Sequence, residues 1–171
     1  MAKILRMNKK PALLLGVVLI LAAVSAAVYM LPAKSSMGNV AFTTLKGERI
    51  QLRDLRGKVV LVNFWATTCP ACVKEMPELV ETYHRYHPQG LEIIAVAMSY
   101  DSPVFVKEFA ERHALPFPVA LDAQEEAARA FGGVKAVPTT LILDKEGRLV
   151  SRTLGMIAFD KLYMLLDETL K

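Results

Sequence analysis

The chain has 171 residues, which is room for one ordinary domain and an additional segment. Residues 11–171 contain 17 Lys and Arg against 17 Asp and Glu, so the formal net charge of +4 arises at the N-terminus. A neutral body without a basic run lacks the electrostatic footprint of a nucleic-acid-binding protein, and we exclude that class of function. The four basic residues responsible are Lys3, Arg6, Lys9 and Lys10.

The first predicted element is an apolar helix over residues 12–31. These 20 residues carry no charge, and a helix of that length spans about 30 Å, the thickness of the hydrocarbon core of a bilayer. The basic cluster before it, against Lys34 alone just after it, places residues 1–11 in the cytoplasm. We therefore predict a single-pass signal anchor in a bacterial cytoplasmic membrane, with the C-terminal domain facing the periplasm or another extracytoplasmic space.

A cleaved signal peptide is the alternative interpretation of this segment, because residues 25–27 (Ser-Ala-Ala) resemble a small-residue cleavage site. The apolar stretch nevertheless continues beyond that site to Leu31, whereas the apolar region of a signal peptide has about 7 to 15 residues. We therefore favour retention as an anchor. Residues 32–39 are small and polar, which predicts a linker, and the folded domain is expected over residues 40–171.

The folded domain is expected to begin with a hairpin of two short strands, over residues 40–45 and 49–52. Residues 59–65 are apolar on both faces, which predicts a central strand covered by helices on each side. A helix over residues 70–86 follows directly, because a proline suits its first position. Pro77 is expected to kink this helix.

The second half of the domain is expected to complete an α/β fold in which a mixed sheet is flanked by helices. Residues 91–98 read as a second central strand, joined to the first by a right-handed crossover. The remaining predicted elements are a helix over 102–113 capped by Asp101 or Ser102, a helix over 123–131 that ends at Gly132-Gly133, a hairpin of residues 139–144 and 148–153, and a closing helix over 159–170.

The two cysteines of the chain, Cys69 and Cys72, are separated by two residues and follow the predicted central strand. Free N–H groups and the helix dipole at the start of the next helix favour a thiolate, and such positions lower a cysteine pKa from about 8.5 to between about 3.5 and 7.5. Cys69 is therefore the expected nucleophile. Cys72 lies one turn into the helix and is expected to be more buried, which suits it to resolve a mixed disulfide.

Three other interpretations of the cysteine pair are less favoured. A structural disulfide that closes so small a loop restrains the unfolded chain very little. A zinc finger with His84 and His87 fails because Cys72 and His84 would lie about 18 Å apart on one helix. Peroxidase chemistry expects Pro and Thr where Val62 and Ala66 stand. We therefore expect no metal site and no cofactor other than the redox-active disulfide.

Three segments of the predicted domain form a combined pattern: residues 64–77 (FWATTCPACVKEMP), residues 115–119 (LPFPV) and residues 137–140 (VPTT). Together they resemble the TlpA/ResA/CcmG-like thioredoxins. The resemblance covers essentially all of residues 40–171. It implies a thioredoxin fold with an additional strand-helix insertion, expected here within residues 99–122, together with membrane attachment and usually a reducing role.

The resemblance also implies the roles of individual residues. Val137-Pro138 matches the position where thioredoxin-like folds hold a cis-proline beside the active cysteine, and the backbone of the preceding residue pairs with the bound peptide. Glu75 matches a glutamate near the pair, on the same side of the helix as Cys72, where it can raise the thiol pKa or accept a proton. An acid favoured merely by the helix N-terminus is the equal alternative. The expected substrate-binding residues are Trp65, Thr68, Pro70, Val137 and Pro138.

Two positions depart from the pattern of many thioredoxins. Asn63 stands where many carry a buried aspartate, and Thr68 stands where many carry a tryptophan. Asn63 cannot ionise, which removes one proton route and gives Glu75 more weight, although Asn63 could instead satisfy a buried backbone group. Thr68 gives a smaller and more polar rim next to the first cysteine.

The predicted activity is thiol:disulfide exchange, in which Cys69 attacks a disulfide of an exported protein and Cys72 resolves the mixed disulfide. Family precedent suggests apocytochrome c or a copper-site protein as the partner, and a transmembrane thiol protein as the electron donor. Two alternatives stay open: a disulfide-forming oxidant on the same fold, and a module that delivers Cu(I) bound to the two thiolates.

Overall fold

The structure is a computed structural model that describes residues 40–171. The predicted basic terminus over residues 1–11, the anchor over residues 12–31 and the linker over residues 32–39 lie outside the described residues. Among the helices of residues 40–171, none has both the length and the apolar composition needed to cross a bilayer. The fold described below is therefore that of the predicted C-terminal domain.

A five-stranded mixed sheet forms the centre of the fold, in the order β5-β4-β3-β6-β7. Its middle strand β3 (Val59–Trp65) is parallel to β4 (Leu91–Ala97), and β4 is parallel to the edge strand β5 (Val119–Leu121). On the other side, β6 (Thr139–Leu143) is antiparallel to β3, and β7 (Leu149–Leu154) is antiparallel to β6. This arrangement confirms the predicted thioredoxin fold with a mixed sheet.

The predicted N-terminal hairpin is present as β1 (Ala41–Thr43) and β2 (Arg49–Gln51). It is attached to the edge of the large sheet, because the Leu45 backbone N–H donates to the Val119 carbonyl oxygen at 2.9 Å. An antiparallel bridge between the residue before Leu45 and Ala120 adds to this attachment. The hairpin therefore covers part of the otherwise exposed edge of β5.

Four α-helices pack around the sheet in the described part of the chain. The first, α1 (Pro70–Tyr86), is one continuous helix through Pro77. The second, α2 (Pro103–Arg112), and strand β5 form the extra unit that was expected within residues 99–122. The others are α3 (Glu126–Ala130) and α4 (Phe159–Thr169).

Strand β3 is buried on both faces, as its continuous apolar run predicted. Leu61 and Trp65 point to the side where α1, α2 and α4 pack, and Val62 and Phe64 point to the side of the hairpin and α3. Side chains alternate along a strand, so one short segment serves both hydrophobic clusters. The end of this strand is therefore rigidly held, and the cysteine pair follows it directly.

Two helix starts differ from the sequence-based expectations. The helix expected over residues 123–131 begins only at Glu126, because the Asp122 carboxylate accepts the backbone N–H groups of Ala127 and Ala128, and Glu125 has a left-handed φ of 57°. Helix α2 does begin after Ser102, but the Ser102 side chain makes no capping hydrogen bond. The alternative cap, Asp101, is bonded elsewhere, as the site described below shows.

Candidate active site

The two cysteines lie at the start of α1, immediately after the end of β3. They form a disulfide with a Cα–Cα distance of 5.3 Å. Cys69 is the N-cap residue of the helix, with extended backbone angles, and Pro70 occupies the first helical turn. The connecting turn is closed by a hydrogen bond of 3.1 Å from the Cys69 backbone N–H to the Ala66 carbonyl oxygen. Strand, turn and helix therefore fix the position of the pair through the backbone.

The two sulfur-bearing side chains differ in exposure and in contacts. Cys69 is half-buried, whereas Cys72 has no exposed surface. The Cys69 sulfur accepts a hydrogen bond of 3.2 Å from the Cys72 backbone N–H, so it occupies the capping position that a Ser or Asp oxygen usually fills. Negative charge at this point is favoured by the free N–H groups and by the helix dipole. The predicted difference in burial between the two cysteines is thus present in the structure.

Glu75 lies one turn after Cys72 and is only 2% exposed. One of its carboxyl oxygens accepts from the Asn63 side-chain amide at 3.0 Å, and the other accepts from the Ile157 backbone N–H at 3.2 Å. The Asn63 amide also donates to the Thr140 hydroxyl oxygen at 3.0 Å. Two groups that are distant in sequence therefore hold this carboxyl, one turn after Cys72, and Thr140 supports one of them. Asn63 contacts side chains here, which corrects the alternative in which it satisfies a buried backbone group.

Burial raises the pKa of the Glu75 carboxyl above its ordinary value, and the hydrogen bonds from Ile157 and Asn63 lower it by a smaller amount. Among residues 40–171, no Lys, Arg or His side chain lies within 4.0 Å of this carboxyl to favour its charged form. A buried acid with neutral partners can exchange a proton nearer to neutral pH than an exposed one. This environment fits proton transfer better than a role at the helix N-terminus alone.

Asp101 holds the turn that leads into the cysteine pair, and sequence reasoning missed this role. Its buried carboxylate accepts from the Thr67 backbone N–H at 2.6 Å and from the Thr67 hydroxyl at 2.7 Å. Asp101 belongs to the segment between β4 and α2, so the predicted insertion is bonded directly to the active-site turn. The sequence signal was present but ambiguous, because an aspartate before a helix also predicts a cap.

The Val137–Pro138 peptide bond is cis, as the resemblance implied. Pro138 is buried, and its carbonyl oxygen accepts from the Gly155 backbone N–H at 2.9 Å. Val137 is half-buried and packs against both hydrophobic clusters. Of these two residues, Val137 is the more exposed.

The side chain of Trp65 is 0% exposed. Its ring packs against Phe109 of the inserted helix α2, with 5.0 Å between ring centroids. The Trp65 side chain therefore offers no surface to a partner in this structure, and its role in substrate binding stays a prediction. Thr68 and Pro70, in contrast, are exposed next to Cys69, where the sequence placed them.

An exposed apolar group lies on the insertion, and sequence reasoning did not identify it. It consists of Tyr100, Val104 and Phe105, which are 62%, 61% and 59% exposed. A shallow cavity of about 240 Å³ connects it to the active-site turn, because Phe105 and Thr67 both line that cavity. A larger cavity of about 510 Å³ lies between the hairpin turn and the end of α2, and neither cysteine lines it. We assign the active site to the cysteine pair, because the reactive sulfur atoms lie there and neither cysteine lines the larger cavity.

The structure describes the two histidines of the zinc interpretation, His84 and His87, and places neither of them in a group of metal ligands within residues 40–171. His84 and His87 are exposed, and the His87 ring stacks on Tyr83 with 4.4 Å between centroids. Within residues 40–171, no group of three or more His, Cys, Asp or Glu side chains is placed to hold a metal ion. Both cysteines are engaged in their own disulfide.

Comparison with known proteins identifies a matching family and similar curated proteins. The sequence profile of the AhpC/TSA family matches residues 34–152. A thiol-disulfide oxidoreductase ResA of Bacillus thuringiensis is 40% identical over 117 residues, covering 68% of this chain and 66% of the relative. The ResA of Geobacillus kaustophilus is 41% identical over 115 residues, covering 67% and 65%. The chain thus spans slightly less than two-thirds of the length of these curated relatives.

Solved structures agree with this result. A candidate thioredoxin from Neisseria meningitidis superposes with a TM-score of 0.74 at 33% identity, covering 79% of this chain and 90% of that one. The thioredoxin domain of a thiol-disulfide oxidoreductase from Bacteroides vulgatus has a TM-score of 0.68 at 26% identity, covering 82% and 99%. These similarities confirm the resemblance predicted from the sequence.

The substitution Glu75→Gln is predicted to stabilise the oxidised protein at pH 8 and to have less effect at pH 4. Because the folded-state pKa is raised, the stability contributed by Glu75 is fully present below the unfolded pKa and is lost as pH rises through the folded pKa. A neutral glutamine removes that loss, which amounts to about 1.4 kcal/mol per unit of difference between the two pKa values. Urea unfolding at both pH values measures the effect. Glu81→Gln, at an exposed position of the same helix, is the control; equal effects of Glu75→Gln at both pH values would contradict the assignment.

The substitution Asp101→Ala is predicted to lower the free energy of unfolding by about 1–3 kcal/mol, because it removes the buried carboxylate that accepts two hydrogen bonds from Thr67. Thr67→Val removes one of the same two hydrogen bonds, so the double variant is expected to lose less than the sum of the single losses. Chemical unfolding of the four proteins measures this coupling. Strict additivity would show that the two residues do not act together, and Asp160→Ala, at an exposed position, is the control for loss of charge.

Proposed function

The chain belongs to the AhpC/TSA family, and from this membership and the geometry of the cysteine pair we propose that it is a thiol:disulfide oxidoreductase that reduces disulfides in exported proteins. The single observation that carries the proposal is the unequal placement of the two sulfurs at a helix start. The half-buried Cys69 is reachable from outside, and the fully buried Cys72 lies beneath it. This asymmetry suits one cysteine to attack a client and the other to release it.

The reaction begins with both cysteines reduced. The Cys69 thiolate attacks one sulfur of a client disulfide, a Cys69–client disulfide forms, and the other client sulfur leaves as a thiolate that takes a proton from water. Cys72 then attacks the Cys69 sulfur, which forms the Cys69–Cys72 disulfide and releases the second client sulfur. The client gains two electrons and two protons, and the enzyme is oxidised to the state described by the structure.

Glu75 is proposed to serve the second of these steps. Cys72 attacks only as a thiolate, and its environment has no exposed surface through which water could remove the proton. The ionised Glu75 carboxyl, one helical turn away, accepts the Cys72 proton and becomes neutral. It then returns the proton to the departing client thiolate. A carboxyl whose pKa is raised by burial is suited to both transfers.

The client is proposed to bind as an extended peptide across the cis-proline loop, beside Thr68 and Pro70. Val137 is half-buried there, and Thr68 and Pro70 are exposed next to Cys69. Clients of this kind include apocytochrome c and copper-site proteins, and a transmembrane thiol protein returns the enzyme to its reduced form. The alternative reaction, in which the Cys69–Cys72 disulfide oxidises a client dithiol, is the reverse of these steps and would use the same sulfur atoms.

The location of the enzyme is proposed from the sequence alone. Residues 12–31 anchor it in a bacterial cytoplasmic membrane, and residues 40–171 face the extracytoplasmic side. An oxidising compartment supplies the client disulfides that the proposed reaction consumes.

The substitution Cys72→Ala is predicted to trap the client. Incubation of the reduced variant with two short peptides joined by a disulfide should yield a stable Cys69–peptide disulfide, because the released peptide diffuses away and the variant has no second thiol to resolve the adduct. Mass spectrometry before and after a reductant detects the adduct.

The reciprocal variant, Cys69→Ala, is the matched control, and it should form at most a trace of adduct, since its remaining thiol has no exposed surface. The wild type should release the reduced peptide and accumulate its own disulfide. A stable adduct through Cys72 in the control, or no adduct in either variant, would contradict the proposed order of attack.

A further inference from the structure

The carboxyl of Glu75 is surrounded by groups that carry no charge. Asn63 faces it from β3, the Ile157 backbone N–H faces it from the segment between β7 and α4, and Thr140 of β6 completes the cluster through Asn63. From its own helix it shares a face with Cys72, one turn earlier. Of these neighbours only the cysteine can titrate, and only after reduction. A change in the protonation state of Glu75 therefore has to be accommodated by a change in its hydrogen bonds.

Both carboxyl oxygens of Glu75 accept a hydrogen bond from an N–H group, which suits the ionised form. A proton added to the oxygen that faces Asn63, along the line of that hydrogen bond, would meet the amide hydrogen that Asn63 donates to it. The other oxygen faces a backbone N–H of Ile157, which cannot reverse its direction. Of the two groups that donate to Glu75, only the Asn63 side chain can change from donor to acceptor.

The Asn63 amide carries an unused acceptor for this change. Its Oδ1 atom is buried and has no hydrogen-bond partner among the described residues, while its Nδ2 atom donates to both Glu75 and Thr140. A rotation of the amide by 180° exchanges these two atoms. The oxygen then accepts from the protonated Glu75 carboxyl and from the Thr140 hydroxyl, which is able to donate as well as accept. Both orientations fill the same volume, so the rotation requires no rearrangement of the backbone.

We propose that Asn63 is a positioning residue for Glu75, and that its amide takes one orientation when the carboxyl is ionised and the opposite one when it is protonated. The inference deepens the proposed function and rests on it. If Glu75 accepts the Cys72 proton, the rotation of Asn63 keeps Glu75 in place beside Cys72 before and after the transfer. Thr140 has a supporting role, because its hydroxyl pairs with the amide in either orientation.

The residue type at position 63 follows from this role. Aspartate there would place a second carboxyl against Glu75, and repulsion would keep one of the two protonated. Leucine has a similar shape but can neither donate nor accept, so the carboxyl would lose its partner in both states. An amide is the neutral group that provides both a donor and an acceptor.

The test is an NMR titration of the oxidised full-length chain, labelled with [15N]asparagine and [13C]glutamate. The chain has two other asparagines, Asn8 and Asn39, and their side-chain amide signals serve as internal controls. Above the Glu75 midpoint, the Asn63 amide protons should show NOEs to the Thr140 methyl group and the Glu75 side chain. Below the midpoint these NOEs should disappear, and the amide shifts should follow the same midpoint as the Glu75 carboxyl carbon.

The result that would overturn the proposal is a set of NOEs that persists while Glu75 titrates, or a Glu75 carboxyl that does not titrate between pH 4 and pH 9. In Glu75→Gln the NOEs should be independent of pH. Thr140→Ser keeps the hydroxyl and should retain the coupled titration, whereas Thr140→Val should shift the Glu75 midpoint. These variants keep the inference testable even if Asn63→Leu does not fold. The titration uses the disulfide form without a client, so its failure would leave the proposed exchange activity intact.

A functional readout separates positioning from mere packing. In Asn63→Leu the ionised carboxyl loses a donor, so the Glu75 midpoint should rise and the acid limb of the pH–rate profile for adduct resolution should move by the same amount. A uniform loss of rate at every pH, without a shift of that limb, would indicate a structural role only.

Discussion

The hydrogen bond from the Cys72 backbone N–H to the Cys69 sulfur is the contact on which the rest of the site depends. It places the exposed sulfur at the N-cap of α1, where free N–H groups stabilise negative charge. Cys72, at the third helical position, lies in the hydrophobic cluster between the helices and the sheet and has no exposed surface. This helix start follows strand β3, which is buried on both faces. The unequal burial of the two cysteines, on which their proposed roles rest, therefore follows from the backbone.

The sequence was sufficient for those features that depend on local patterns. The bounds of the central strand over residues 59–65 and of the helix over residues 70–86 were predicted as the structure has them, with the cysteine pair at the start of that helix. Apolar runs, a proline at the first helical turn and Cys spacing are local signals. The cis peptide bond before Pro138 followed from a family resemblance and not from the residues themselves, since most X-Pro bonds are trans.

The features that were missed depend on contacts between distant parts of the chain. Asp101 and Thr67 are 34 residues apart. The local sequence predicted Asp101 as a candidate helix cap, whereas its carboxylate binds the active-site turn. Trp65 was expected on the binding surface, but Phe109 of the inserted helix covers it. The Asn63 amide joins Glu75, 12 residues away, to Thr140, 77 residues away. No periodicity or spacing in the sequence encodes such pairings, because they arise only when the sheet assembles. The insertion is thus part of the active site as well as an addition to the fold.

The measurement that tests the central claim most directly is the reduction potential of the Cys69–Cys72 disulfide, obtained by equilibrating the protein in thiol buffers at pH 7. The account predicts a value near that of thioredoxin, about −270 mV or lower, which would allow the reduced enzyme to reduce client disulfides. A value near −120 mV would contradict it, since such a disulfide would be a strong oxidant that installs disulfides in its clients.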